Sequence, residues 1–135
     1  MSRWALVATL AVGTTAQAAE TDCTAPATQL DLNLCAARAG AGLDAEVDAA
    51  YAAAAARLGD DPAAQKLLAA TRSAWLAYRD ADCAFVAQPT DGGSIQPMVV
   101  ANCQAEHARA RLAILQSWLA CPEGDLACPL PPKAP

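Results

Sequence analysis

The chain has 135 residues with 9 basic and 14 acidic side chains, a formal net charge of −5, and a 55% hydrophobic content in which aromatics are scarce at 4%. The carboxylate surplus excludes a nucleic-acid binder, whose phosphate contacts need a basic face. Abundant alanine with few β-branched runs favours helix over sheet, and the length suits one domain small enough to gain from covalent staples.

The chain opens as a secretory signal peptide, residues 1–18. Ser2-Arg3 gives a positive start, Trp4 to Val12 an apolar core, and Ala16-Gln17-Ala18 a cleavage site. That core is too short to span a bilayer, which takes about 20 residues. Glu20-Thr21-Asp22 before Cys23 is no lipobox, so Cys23 reads as a disulfide partner and not a lipid anchor. Cleavage removes Arg3 and no acid, which moves the net charge from −5 to about −6. The mature protein is expected to be periplasmic or secreted, without a membrane attachment, in a space where disulfides persist.

A helical domain is expected over residues 19–121. Its first helix spans Thr28 to Leu58, with Leu30, Leu34, Val47, Tyr51 and Leu58 on the buried face and a bend allowed at Gly40 and Gly42. Gly59-Asp60-Asp61-Pro62 combines a C-terminal glycine, an N-cap and a first-turn proline. A second helix then runs to about Val86, with Leu68, Thr71, Trp75, Tyr78 and Asp82 in step. Gln88 to Gly93 is rich in turn formers. Ser94 is expected to cap a third helix through about Trp118, with Val99, Val100, Cys103, Ile114, Leu115, Trp118 and Leu119 on its apolar side. Residues 122–135 are a proline-rich tail, expected to be extended and mobile after Cys128. The fold class is therefore all-α, a disulfide-stapled antiparallel three-helix bundle.

Six cysteines allow 15 pairings. In an up-down-up bundle Cys35, Cys83 and Cys103 share one end, and Cys121 at the other end reaches only Cys128. Cys83 and Cys103 flank the Asp91-Gly92-Gly93 turn almost symmetrically, which leaves Cys23 to fold back on Cys35. The pairs expected are Cys23–Cys35, Cys83–Cys103 and Cys121–Cys128, with exchanges among the first four cysteines left open.

No catalytic constellation is visible. His107, the single histidine, has no nucleophile elbow to accompany it and reads as a partly exposed helix-surface residue. Cys-x-x-Cys spacing is absent, and Asp44, Glu46 and Asp48 lack the glycine of a calcium loop. The sequence thus calls for no enzyme activity, no metal and no cofactor. One segment stands out, Arg72 to Cys83. Arg72, Trp75, Arg79 and Cys83 are neighbours at helical spacing, so guanidinium groups can flank the indole, and Asp80 or Asp82 can pair with an arginine. This reads first as a locked helical hairpin.

The pattern resembles the lysozyme inhibitor LprI-like N-terminal domain family of bacterial exported proteins. It is carried by Cys35-Ala36-Ala37, Asp44, Tyr51, Trp75, Tyr78-Arg79-Asp80, Cys83, Gly92-Gly93-Ser94, Cys103, and Arg111 with Leu115, and covers Asp22 to Leu115. Val47-Asp48 stands where the family has Leu-Asn, Thr71 replaces Gln, Ala108 replaces Thr, and Gly40 and Gly42 replace larger residues.

The resemblance implies a helical, disulfide-bonded periplasmic protein that binds and blocks lysozyme by occluding its cleft. Such a cleft is lined by two carboxylates, and a cationic lysozyme is the partner that an acidic chain would attract. Two loops are candidates for docking: Asp91-Gly92-Gly93-Ser94 at one bundle end, and the loop from Cys121 to Cys128, which carries Glu123 and Asp125, at the other. The competing expectation is a non-catalytic envelope or stress-related binding protein without lysozyme activity. The sequence assigns no oligomeric state.

Overall fold

The computed structural model describes residues 21–132. The predicted signal peptide lies outside the described residues. Helix α1 spans Gln29–Leu58, α2 Pro62–Ala87 and α3 Gln96–Leu119, with a 3-10 turn over Gln88–Thr90. No strand occurs among the described residues. The helices form a bundle in which α1 lies mainly against α3, while α2 rests mostly on α3 and only lightly on α1.

Local chemistry explains the boundaries. Thr28 opens α1 through a capping box: its hydroxyl accepts from the Asp31 N–H, while the Asp31 side chain accepts from the Thr28 N–H. Gly59 closes α1 at φ 53°, a left-handed value that glycine adopts without penalty. The Asp61 carboxylate then accepts from the N–H groups of Ala63 and Ala64 ahead of Pro62. Gln65 binds the connection from the side, donating to the carbonyls of Ala55 and Gly59.

The start of α3 differs from expectation. Its N-cap is Ile95 and no side chain caps it, so Ser94 does not take that role. Ser94 instead offers its carbonyl to Asn33 of α1 at 2.9 Å.

The core is built on small residues. Val47, Ala50, Tyr51, Ala108 and Leu115 are buried together, flanked by Leu43, Leu68, Trp75, Leu112, Trp118 and Leu119. Alanine at Ala50, Ala54, Ala105 and Ala108 lets α1 and α3 approach closely. Gly40 sits at such an approach, where an added Cβ would lie 3.7 Å from the Ala101 carbonyl oxygen. Helix α1 runs unbroken through Gly40 and Gly42.

Several large side chains expected inside point outward: Leu30, Leu34, Tyr78 and Ile114 are exposed. In an alanine-lined interface the small face is the buried one, so leucine position alone does not mark the core.

Three disulfides staple this limited core, Cys23–Cys35, Cys83–Cys103 and Cys121–Cys128. Sequence separations of 12, 20 and 7 residues correspond to roughly 2–3 kcal/mol each from restriction of the unfolded chain.

The tail also departs from expectation, because it docks instead of remaining free. Leu130 is buried, and the Arg57 guanidinium holds the chain by donating to the carbonyls of Leu119 and Pro131. The Arg57 Nε is buried without a partner, so the clamp leaves one donor unsatisfied.

Candidate functional site

The conspicuous Trp75–Cys83 segment is absorbed into the scaffold. Arg79 is only 9% exposed, and two carboxylates satisfy it: Asp44 of α1 at 3.0 Å and its neighbour Asp80 at 2.9 Å. Its guanidinium lies 5.1 Å from the centre of the Trp75 ring, close enough for cation–π attraction. Arg72 does not flank that indole. It pairs with Asp48 at 2.6 Å and lies over Tyr51.

Arg111 completes a second clamp. Its Nε donates to the Tyr51 hydroxyl at 2.7 Å and its terminal nitrogen to Thr71, with the centres of the Tyr51 and Trp118 rings 5.1 and 4.9 Å from the guanidinium. These contacts tie α1 to α2 and to α3, and they engage the guanidinium groups of Arg72, Arg79 and Arg111 within the scaffold.

His107 is held the same way. Its Nε2 is 2.8 Å from Asp82, and Tyr78 meets its ring edge-on at 5.3 Å. Asp82 thus pairs with the histidine and not with an arginine. A His107 nitrogen and the sulfurs of Cys83 and Cys103 lie within 4.8 Å of one another, but the two sulfurs are bonded together. Disulfide sulfur is not the thiolate that a metal requires. The shallow pocket over His107 is lined by Asp82, Val86, Cys103, Glu106 and Ala110 and contains no hydroxyl or amine nucleophile.

An open groove of about 380 Å³ runs between α1 and α2. Its apolar lining is mainly alanine with Leu68, and the Arg72–Asp48 ion pair sits on its wall. None of these features assembles a reacting centre.

What remains is a built loop. Thr90 bonds back to the Ala87 carbonyl, the Gly93 N–H donates to Thr90, and the Gln96 N–H donates to Gly93. The Gln96 side chain accepts from the Gly92 N–H at 3.3 Å and donates to Asp91 at 3.2 Å. Gly92 adopts φ 71°, which needs glycine. At Gly93 an added Cβ would sit 3.0 Å from the Thr90 carbonyl oxygen, so the turn has no room there. Cys83–Cys103 closes the loop from below and Asn33 holds it from α1. The sequence named Asp91, Gly92, Gly93 and Ser94, and the structure brings them together on one exposed tip. Gln96 and Asn33, which order that tip, lie on helices and carried no turn signal in the sequence.

The loop at the opposite end is closed by Cys121–Cys128 and turns at Gly124, φ 85°. Asp125 accepts from the Ala127 N–H, Glu123 is exposed, and Leu126 projects fully into solvent. No helix among the described residues is long and apolar enough to cross a membrane.

Comparison with known proteins gives a consistent picture. A family model described as "Lysozyme inhibitor LprI" matches residues 16–115. An uncharacterized protein of Rhizobium meliloti is 36% identical over 115 residues, covering 77% of this chain and 83% of the relative. No solved structure matches.

Proposed function

We propose that this chain, which belongs to the lysozyme inhibitor LprI family, is an exported protein that binds a cationic lysozyme and blocks its cleft with the Asp91–Ser94 hairpin. The observation that carries this reading is the family match over residues 16–115. A function shared across a family resides in the part that its members share. The hairpin lies inside that part, whereas Glu123 and Asp125 lie beyond it.

Electrostatics supports the reading at two ranges. At long range, a net charge of −5 attracts a cationic enzyme and speeds encounter. At contact, an acidic tip would be repelled by the two carboxylates of a lysozyme cleft. The tip avoids this, since Asp91 is folded onto Gln96 and the apex offers Gly92, Gly93 and Ser94. A tip ordered before binding also loses little conformational entropy on docking.

The test uses purified mature chain, lysozymes of several types and cell-wall substrate. Ser94→Trp adds bulk at the tip and avoids the crowding at Gly93. It is expected to abolish most inhibition while helical content and melting temperature stay at wild-type values. Glu123→Lys with Asp125→Lys is expected to slow association modestly and to leave full inhibition attainable. If Ser94→Trp inhibits as well as wild type, the hairpin is not the docking element. If the wild type binds no lysozyme at micromolar concentration, the chain is a non-catalytic envelope protein with another partner.

A further inference from the structure

The hairpin sits among apolar side chains that the fold does not use. Leu30 is 65% exposed, Leu34 46%, Ile95 40%, Phe85 80% and Val86 48%. All five lie at the bundle end where α1 begins, α2 ends and α3 begins. Their placement is connected. Gln29 and Asn33 are one row of α1, and they reach Met98 and the Ser94 carbonyl of the loop–α3 junction. Leu30 and Leu34 form the adjoining row at i, i+4 spacing. Phe85 and Val86 close α2 just before the turn.

Single exposed leucines need no explanation, but a cluster of large apolar residues around an ordered loop marks an interaction surface. We propose that these side chains form the anchoring ring around the hairpin. The tip enters the cleft, while Leu30, Leu34, Ile95 and Phe85 bury themselves against apolar walls at its rim and supply most of the affinity. This rests on the lysozyme reading above and names the surface that serves it.

Charge selects the occupant. At this end Asp22, Asp31 and Asp91 carry negative charge, each carboxylate bonded to a neighbour, Thr24, Thr28 and Gln96 in turn, and the Arg38 guanidinium bonds to the Thr21 carbonyl. A second copy would bring the same acids and a further net charge of −5 onto the patch, whereas a cationic enzyme brings complementary charge. The apolar ring and the acidic surround together fit a basic protein with an apolar-walled cleft.

Equilibrium binding to a lysozyme that the wild type inhibits tests the ring, with Leu34→Ser, Ile95→Ser and Phe85→Ser as separate variants and Leu67→Ser as the control. Leu67 is 70% exposed on α2, near its opposite end. Truncation of a buried interface anchor commonly weakens binding by about tenfold or more. At least two of the three ring variants are expected to reach that loss, with Leu67→Ser within about twofold of wild type. Circular dichroism and melting should match wild type for all four, because each side chain is exposed.

If the wild type binds and the ring variants bind equally well, or Leu67→Ser weakens binding as much as they do, the ring is wrong while the inhibitor reading survives. Sedimentation of the wild type as a dimer that the ring variants dissociate would make the patch a self-interface and overturn the proposal. A wild type that binds no lysozyme removes both.

Discussion

Replacing Arg79 with methionine separates scaffold from binding surface in the most prominent motif of the chain. The substitution keeps an unbranched apolar stem and deletes the guanidinium. Three contacts disappear: the pairs with Asp44 and Asp80 and the stacking on Trp75. Breaking a buried ion pair typically costs about 3–5 kcal/mol, because the abandoned charge stays buried. Here the Asp44 and Asp80 side chains are 47% and 58% exposed, so water takes over the orphaned carboxylates. The cost is then mainly the lost charge-assisted hydrogen bonds and the stacking, together about 2–3 kcal/mol. Methionine packing against Trp75 returns only part of it. For a domain of this size that is a fall in melting temperature of roughly 8–12 °C. Urea unfolding under non-reducing conditions, followed by circular dichroism, measures the loss, and lysozyme binding by the variant should stay at wild-type affinity. A loss under about 0.5 kcal/mol, or a collapse of binding with stability intact, would refute the scaffold assignment.

Other outcomes follow from the same contacts. Denatured, unreduced mature protein should show no alkylatable thiol, and two or more reactive thiols would contradict the three bridges. The Thr28 hydroxyl bonded to Asp31 holds that carboxyl below its ordinary value. The cap is therefore intact above the ordinary carboxylate pKa and is lost as pH falls through the lowered one; Thr28→Ala should raise the Asp31 titration, followed by NMR, towards the ordinary range while the Ala27 and residue-28 N–H bonds remain. Leu130→Ser places a hydroxyl in the buried seat of the tail and should cost about 1–3 kcal/mol while freeing the Pro129–Pro132 segment to proteolysis. Unchanged stability would show that the tail does not dock in solution.

The boundary between the first two helices was legible because Gly59 to Pro62 carries explicit chemistry, whereas the Thr28–Asp31 capping box went unread. The buried face was less legible. Alanine fills both the core and the surface, so the contrast that normally reveals an amphipathic helix is weak. Leu30 and Leu34 were read onto the buried face with Val47 and Tyr51, although Ala50, Ala54 and Ala108 are the residues buried in the α1–α3 contact.

Arg79 was visible as a motif residue, but its burial was not, since arginine is rarely buried without partners. The spacing of Trp75, Arg79 and Cys83, four residues apart, was the available signal. The docked tail was hidden by composition. Leu130 is one apolar residue among prolines, and its seat exists only after α1, α2 and α3 have met. The hairpin tip was named from its glycines, while the residues that order it, Asn33 and Gln96, depend on tertiary contacts that no local pattern encodes.

The central claim, that an acidic disulfide-stapled bundle blocks lysozyme with its hairpin end, is tested most directly by one assay. Lysis of cell-wall substrate by a cationic lysozyme is followed with increasing mature chain, at low and at high salt. The account predicts dose-dependent inhibition at micromolar concentration, weaker at high salt as screening removes the long-range attraction, and largely lost in Ser94→Trp. Lysis that proceeds unchanged at every concentration and salt, with lysozymes of several types, would contradict it.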